Sequence, residues 1–178
     1  MKKYKCGLYV GRFQPLHVGH THIISKMLDE CEVVIVAVGS AQESGTKRNP
    51  FDFAKRSQWI IETFGTRNNH ILHVVPVSDR EHPSNDASWG DYLLDKVWLA
   101  TQITPDVIYE GEEEERAHWY DNLDINVVKV PRSILQISGT ELRKAIANND
   151  MEVVENYLPY AIKHYYGEMR GIINESKN

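Results

Sequence analysis

The segment "GRFQPLHVGH" at residues 11–20 combines residue types that suit the binding of a phosphate group. His17 and His20 are three residues apart, so both would lie on one face of the first turn of a helix. The N-terminus of a helix offers unpaired N–H groups and a partial positive charge, which together attract phosphate. Gly11 permits a sharp turn after a preceding strand, and Arg12 adds a fork of donors. We therefore expect this loop and the helix start after it to hold phosphate.

A second segment, "ISGTELRKA" at residues 137–145, has a comparable composition near the other end of the chain. Ser138 and Glu141 have the spacing of a capping box, which predicts a helix start and is in itself a structural motif. Gly139 leaves backbone N–H groups open to a ligand, and Arg143 follows within the first turn. Alone, the segment is explained equally well by a helix cap or by a phosphate site. Paired with the first segment, it predicts a cradle for a polyphosphate.

Neither segment has the spacing of a metal site. Zinc-binding histidines on a helix are typically four residues apart with an adjacent glutamate, as in HExxH, whereas His17 and His20 are three apart. Cys6 and Cys31 form no C-x-x-C pair, so we expect two reduced, partly buried thiols rather than a zinc site or a disulfide. The sequence therefore predicts no metal held by protein side chains.

Patterns typical of strands and helices alternate along the chain. Continuous β-branched runs such as "EVVIVAVGS" are typical of strands buried on both faces, and the i, i+3, i+4 apolar spacing in "HTHIISKMLDEC" is typical of an amphipathic helix. The alternation predicts an α/β fold with a Rossmann-like, mostly parallel sheet and helices on both faces. In such sheets the ligand lies beyond the carboxyl ends of the strands, where residues 11–20 would fall. Strands are expected at 5–10, 32–40, 70–77, 106–111 and 125–131, and helices at 20–31, 52–65, 87–101 and 138–150, with closing C-terminal helices over 148–172.

The composition argues against several classes of protein. A chain of 178 residues predicts a single domain over 1–178, and its net charge of -5 disfavours a general nucleic-acid binder, which is usually basic. An anionic ligand must therefore be met by local cations. Arg12 interrupts the N-terminal apolar run too early for a signal peptide, and no segment approaches a transmembrane span. We expect a soluble, cytoplasmic protein with no nucleic-acid or membrane partner.

The two phosphate-binding segments also resemble the signatures of one superfamily. "GRFQPLHVGH" fits GxFxPxHxGH and "ISGTELR" fits (I)S(S/G)TxxR, both found in the (T/H)xGH nucleotidyltransferases in this order. Together with "VGSAQESGTKRNPF" after the second strand, they resemble the archaeal-type nicotinamide mononucleotide (NMN) adenylyltransferases over residues 4–147. The chain departs from that family where Lys55 replaces an acidic residue, with Arg56 retained. It departs again where "EGEEEE" at 110–115 replaces the usual SGN.

The resemblance implies transfer of AMP from ATP to NMN, which forms NAD and pyrophosphate. Catalytic His17, His20 and Arg143 would contact the phosphates and stabilise the transition state. The second pKa of a phosphate monoester is about 6, so the attacking oxygen needs no strong general base at neutral pH. Mg²⁺ would accompany ATP, and the resemblance further implies a homo-oligomer. The ATP-binding residues implied are Gly11, Arg12, Phe13, His17, Gly19, His20, Ser138, Gly139, Thr140 and Arg143.

The same resemblance assigns the acceptor nucleotide to residues between the two segments. Trp89 stands where the family places a tryptophan that stacks on the pyridinium ring, a favourable cation–π arrangement, although core packing is an alternative. Asp79 would bind the carboxamide or the ribose unless it serves a turn, and Ser40 follows the second strand. Lys47 and Arg56 are candidate phosphate contacts, although cations are also common on any surface.

Other aromatic and charged features have simpler explanations. Trp59, Trp98 and Trp119 are expected to serve in packing, and the glutamates at 112–115 are expected to form the solvated start of a helix. Two alternatives to NMN adenylylation stay open at this point. One is a nucleotidyltransferase of the same fold that acts on phosphopantetheine, FMN or a phosphoalcohol. The other is a non-catalytic nucleotide sensor.

Overall fold

The computed structural model describes residues 1–65, 71–80, 88–112, 118–131 and 137–177. The strands in these ranges are β1 Tyr4–Gly11, β2 Cys31–Val38, β3 Ile71–Pro76, β4 Val107–Gly111 and β5 Asn126–Val130. The helices are α1 Val18–Glu30, α2 Phe53–Phe64, α3 Ser88–Thr101, α4 Gly139–Asn148, α5 Met151–Tyr157 and α6 Tyr166–Glu175, with a 3-10 helix at Tyr160–Tyr165.

The strands form one parallel sheet in the order β3-β2-β1-β4-β5. The chain builds outward from β1 to β2 and β3, and then crosses back so that β4 lies on the other side of β1. The carboxyl ends of β1 and β4 therefore border the point where the strand order reverses, which is where ligands bind in open α/β sheets. The predicted Rossmann-like α/β fold is confirmed.

Two apolar clusters cover the two faces of the sheet. Helices α1, α2 and α4, together with the C-terminal helices, pack on one face around residues such as Tyr9 and Trp59. Helix α3 packs on the other face through Trp89, Leu93 and Val97. Side chains of β1, β2 and β4 alternate between the two clusters, as the pleat requires, and this alternation explains the continuous apolar runs of these strands.

The observed bounds of these strands and of α1–α4 lie within two residues of the predicted ones, and predicted positions 70 and 87 lie outside the described residues. The closing region is divided more finely than predicted, into α5, the 3-10 helix and α6. The break at Pro159 is confirmed, because this residue caps the 3-10 helix. Glu112 lies in a turn after β4, where its N–H donates to the Val130 carbonyl at 3.1 Å, and the glutamates at 113–115 lie outside the described residues.

The packing roles predicted for the tryptophans are only partly correct. Trp59 is buried in the core, whereas the prediction for Trp98 is wrong because this side chain is 48% exposed on α3. Cys6 and Cys31 are both buried and free, as expected. Among the helices of the described ranges, none combines the length and apolarity that a membrane crossing requires.

Candidate active site

The two histidines of the first segment lie together at the start of α1. His17 is the N-cap residue and His20 occupies the first turn. Their rings stack with centroids 3.6 Å apart at 26°, and the His17 N–H donates to Nδ1 of His20 at 3.3 Å. The Phe13 ring supports His20 from the core side, with centroids 4.7 Å apart. The predicted common face is confirmed, and the imidazoles form one stacked pair.

The turn between β1 and α1 is folded tightly on itself. Phe13 has a positive φ of 51° and its ring is 1% exposed, so its side chain belongs to the core. A Cβ on Gly11 would lie 2.9 Å from that ring, which explains the glycine at this position. Gly19 is buried in the first turn of α1. The Phe13 ring therefore serves the core, and a contact between Phe13 and ATP stays a prediction.

Arg56 connects the loops that follow β1 and β2. Its Nη1 donates to the carbonyls of Arg12 at 2.9 Å and Gly39 at 2.8 Å, and its Nη2 donates to that of Ser40 at 3.1 Å. Its Nε donates to the Asp52 carbonyl at 3.1 Å. The pKa of Arg56 is lowered to about 10, mainly by burial, while the Asp52 charge opposes this lowering and the Arg12 charge adds a smaller effect in the same direction. The Arg56 guanidinium thus donates to four backbone carbonyls and holds the loops together. This role differs from the phosphate contact predicted for it.

Gln14 is a second positioning residue, and it was missed by the sequence analysis. Its side chain is 3% exposed, its Nε2 donates to the Phe51 carbonyl at 2.8 Å, and its Oε1 accepts from the Phe51 N–H at 2.9 Å. This pair fixes the histidine loop against the chain that leads into α2. The one sequence signal for this role is a polar residue, Gln14, within the otherwise apolar stretch "FQPL".

The second segment forms the predicted capped helix start. The Ser138 hydroxyl accepts from the Glu141 N–H at 3.2 Å, and the Ser138 N–H donates to Oε2 of Glu141 at 2.7 Å. Arg143 reaches across from α4, because its Nη1 donates to the Gln14 carbonyl at 2.6 Å. Its Nη2 donates to the Thr140 hydroxyl at 3.2 Å. The two segments are therefore joined directly.

Gly139 is required by this junction. A Cβ at this position would lie 3.0 Å from the Gln14 carbonyl oxygen, so only glycine lets the start of α4 approach the histidine loop without displacement. That Gly139 also leaves the N–H groups at the start of α4 open to a ligand stays a prediction.

The electrostatics indicate that both segments face the same space. Hydrogen bonds from Ser138 lower the pKa of Glu141, and the imidazole of His17 adds a smaller effect in the same direction. Burial lowers the pKa of Arg143, and the positive charge of Arg12 lowers it further. Since Arg12 and Arg143 repel each other, an anion bound between them would relieve the repulsion of both. This is the electrostatic arrangement expected of a polyphosphate site.

A cavity of about 420 Å³ opens beside Arg143. Its polar lining includes Thr140 and the cations Lys47, Arg143 and Lys144, while α6 and the residues after it contribute Ile173, Asn174 and Ser176. The C-terminal segment holds this side in place, because the Lys47 N–H donates to the Lys177 carbonyl at 2.8 Å and the Lys177 N–H donates to that of Gly45 at 2.9 Å. The structure thus brings Lys47 to Arg143, whereas Arg56 is directed elsewhere.

Two of the residues assigned to the acceptor meet at the ends of β2 and β3. The Ser40 hydroxyl donates to Oδ1 of Asp79 at 3.1 Å, and Nε2 of Gln42 donates to Oδ2 at 3.0 Å. Trp89 is 4% exposed, and its ring lies 4.0 Å from that of Trp119 at 31°. Asp79 therefore has the structural role of joining two loops, and Trp89 has a packing role in addition to any contact with a ligand.

The departure from the family pattern at Lys55 has a local partner. Its ammonium donates a hydrogen bond to the Glu168 carboxylate of α6, which raises the pKa of Lys55. A basic residue on α2 thus pairs with an acidic residue on α6. This departure concerns the packing of the C-terminal helices.

Comparison with known proteins identifies the family. A model of the cytidylyltransferase-like family matches residues 8–154. The nicotinamide-nucleotide adenylyltransferase of Methanococcus aeolicus is 31% identical over an alignment of 175 positions, which covers 92% of this chain and 91% of that protein. The family match includes both phosphate-binding segments.

Solved structures show the same fold. A bifunctional NMN adenylyltransferase/ADP ribose pyrophosphatase from Francisella tularensis matches with a TM-score of 0.78 at 21% identity, over 96% of this chain and 50% of that one. This chain therefore spans half the length of the bifunctional protein. The Plasmodium falciparum nicotinic acid mononucleotide adenylyltransferase complexed with NaAD matches with a TM-score of 0.57 at 14% identity, over 93% of this chain and 96% of that one. The chain belongs to the cytidylyltransferase-like family and, within it, to the nicotinamide-nucleotide adenylyltransferases.

Proposed function

We propose that this protein transfers AMP from ATP to NMN and releases pyrophosphate, the reaction for which its relatives are named. The observation that carries the proposal is the hydrogen bond from Arg143 to the Gln14 carbonyl. It joins a capped helix start to the loop that presents the stacked pair His17 and His20. Two helix N-termini and two arginines thereby surround one space, and this arrangement suits a triphosphate.

The reaction requires positioning and charge neutralisation rather than a protein nucleophile. An oxygen of the NMN phosphate attacks the α-phosphorus of ATP, a new P–O bond forms, and the bond to the bridging oxygen breaks with its electron pair leaving on pyrophosphate. His17 and His20 donate to the phosphate oxygens where charge develops, and Arg12 neutralises charge from the same loop. Arg143 and Thr140 hold the departing pyrophosphate. No proton transfer is needed, since the attacking oxygen is already ionised.

We propose that ATP is bound as its Mg²⁺ complex. Among the residues that the structure describes, no group of three or more His, Cys, Asp and Glu side chains is arranged to hold a metal ion. Phosphate oxygens and water are the ligands that suit Mg²⁺ in such a site, so the metal would enter as part of the substrate. The protein supplies Arg12, Lys47 and Arg143 as its own cations.

The acceptor is proposed to lie at the carboxyl edge beside α3. Ser40 and Asp79 offer polar groups at the ends of β2 and β3, and Trp89 lies on the α3 face of the sheet. The fold alone does not choose the acceptor, because the Plasmodium protein named for nicotinic acid mononucleotide shares it. The homo-oligomer and the cytoplasmic location stay predictions, and sedimentation of the purified protein tests the first.

One assay separates this function from its alternatives. The protein is incubated with ATP and Mg²⁺ and with NMN, nicotinic acid mononucleotide, phosphopantetheine or FMN, and pyrophosphate and the nucleotide product are quantified. Formation of NAD from NMN supports the proposal, with His20→Ala as the inactive control. Turnover only with phosphopantetheine or FMN would keep adenylyl transfer and discard a pyridine acceptor. If none of the four acceptors gives pyrophosphate, the result would favour the non-catalytic nucleotide sensor.

A further inference from the structure

The penultimate residue of β4, Glu110, carries a buried carboxylate that the proposed phosphate chemistry does not use. Glu110 is 4% exposed and is paired in register with Lys129 on the edge strand β5. The Lys129 ammonium lies 3.4 Å from Oε1, at the end of a side chain that is 58% exposed. The other oxygen, Oε2, is buried and accepts no hydrogen bond from any residue in the described ranges.

An arrangement of this kind is costly unless something else completes it. Removing a carboxylate from water is unfavourable unless the group is both paired and hydrogen-bonded. A long contact to one largely exposed lysine compensates weakly, because solvent screens it. Buried polar atoms in folded proteins almost always have a partner in protein, water or a ligand, so Oε2 has the capacity to accept a hydrogen bond from a molecule bound beside β4.

The position of Glu110 indicates which part of a ligand it would meet. Side chains two residues apart on a strand point to the same face, and Ile108 packs in the cluster that contains Trp89. Glu110 thus faces the α3 side of the sheet, and it lies two residues nearer the carboxyl edge than Ile108. Strand β4 is the neighbour of β1 at the reversal of strand order, so this edge borders the binding crevice. The stacked histidines, in contrast, begin a helix that packs on the opposite face.

We propose that Glu110 accepts a hydrogen bond from the carboxamide of NMN and selects this nucleotide over nicotinic acid mononucleotide. This inference rests on the proposed function. The amide carries N–H donors and is attached to a cationic ring, and both suit a buried carboxylate. The acid analogue presents a second carboxylate, which offers no donor and is repelled. Discrimination between close analogues often depends on such a repulsive element.

The test compares kcat and KM for both mononucleotides in the wild-type protein and in Glu110→Gln. Glutamine keeps the shape and can donate to an acid as well as accept from an amide, so the variant should lower the NMN preference in kcat/KM by about tenfold or more. The change should appear mainly in KM for the mononucleotide, with KM for ATP unchanged. Glu112→Gln is the matched control, because Glu112 is an exposed glutamate two positions further along, and its preference should equal that of the wild type.

The opposite perturbation uses Lys129→Gln, which leaves the carboxylate in place and removes its counter-charge. The ratio of kcat/KM for NMN to that for nicotinic acid mononucleotide should increase in this variant. If Glu110→Gln does not fold, this ratio in Lys129→Gln tests the proposal. An unchanged ratio in both variants, with kcat/KM altered equally for the two nucleotides, would assign Glu110 to structure or to a shared ribose and overturn the proposal. A wild-type preference for the acid would overturn it as well. Absence of turnover with either mononucleotide would refute the proposed function, and this proposal with it.

Discussion

Replacement of Arg56 by lysine tests whether this residue positions the site or contacts phosphate. The guanidinium distributes its four contacts over three nitrogens, whereas an ammonium concentrates its donors on one. An ammonium has three donors at a single point, so we expect Arg56→Lys to leave about two of the four carbonyls without a donor. A buried acceptor that loses its partner costs about 1–2 kcal/mol, so the free energy of unfolding should fall by about 2–4 kcal/mol. For a chain of this length, Tm should fall by about 5–15 °C.

The same variant should also impair catalysis, because Arg12 and Ser40 belong to the loops that Arg56 holds. A small displacement of these loops should lower kcat/KM for ATP by about 10–100-fold. Calorimetric melting and steady-state kinetics measure the two effects on one preparation. Arg170→Lys is the control, since among the described residues Arg170 makes a single long bond, of 3.5 Å to the Ala147 carbonyl, and the Tm of this variant should change little. An unchanged Tm with a raised KM for ATP would refute the positioning argument and favour direct phosphate contact.

Three further substitutions test the other parts of the site. His20→Ala should keep the fold and lower kcat by about 10²-fold or more, the scale of a lost preorganised donor, and near-normal turnover would contradict its catalytic role. Gly139→Ala should raise KM for ATP, because its Cβ would lie 3.0 Å from the Gln14 carbonyl and move α4 away from the histidine loop, and unchanged kinetics would show that the junction is dispensable. Trp89→Phe should raise KM for NMN while KM for ATP stays constant, whereas a lowered Tm with both KM values unchanged would leave Trp89 as a core residue only.

The order of elements and the phosphate-binding segments could be predicted because their signals are local. Apolar periodicity marks strands and helices directly, and Ser138 with Glu141 marks a helix start within four letters. The face shared by His17 and His20 follows from helical geometry alone. Each of these inferences depends only on residues that are close in sequence.

The positioning residues could not be predicted, because their partners carry no residue-type signal. Arg56 and Gln14 bind backbone groups of distant loops, and any residue type presents the same carbonyl or N–H. The prediction for Trp98 was wrong because the sequence of an amphipathic helix does not determine which of its apolar residues face the sheet. Gly90 weakens the helix pattern in sequence, but a Cβ there would lie 2.1 Å from the Trp119 carbonyl, so close packing explains it.

The bond from Arg143 to Gln14 spans 129 positions of the chain, and this separation has a consequence for how activity is acquired. Closing so long a loop is entropically unfavourable until many other contacts form, and non-local contacts of this kind slow folding. During synthesis the histidine loop emerges long before α4. At that stage the phosphate site lacks Thr140 and Arg143. Adenylyl transfer activity should therefore appear late in folding, in a single step. A nascent chain that ends before α4 should show no adenylyl transfer activity even when its first strands have paired.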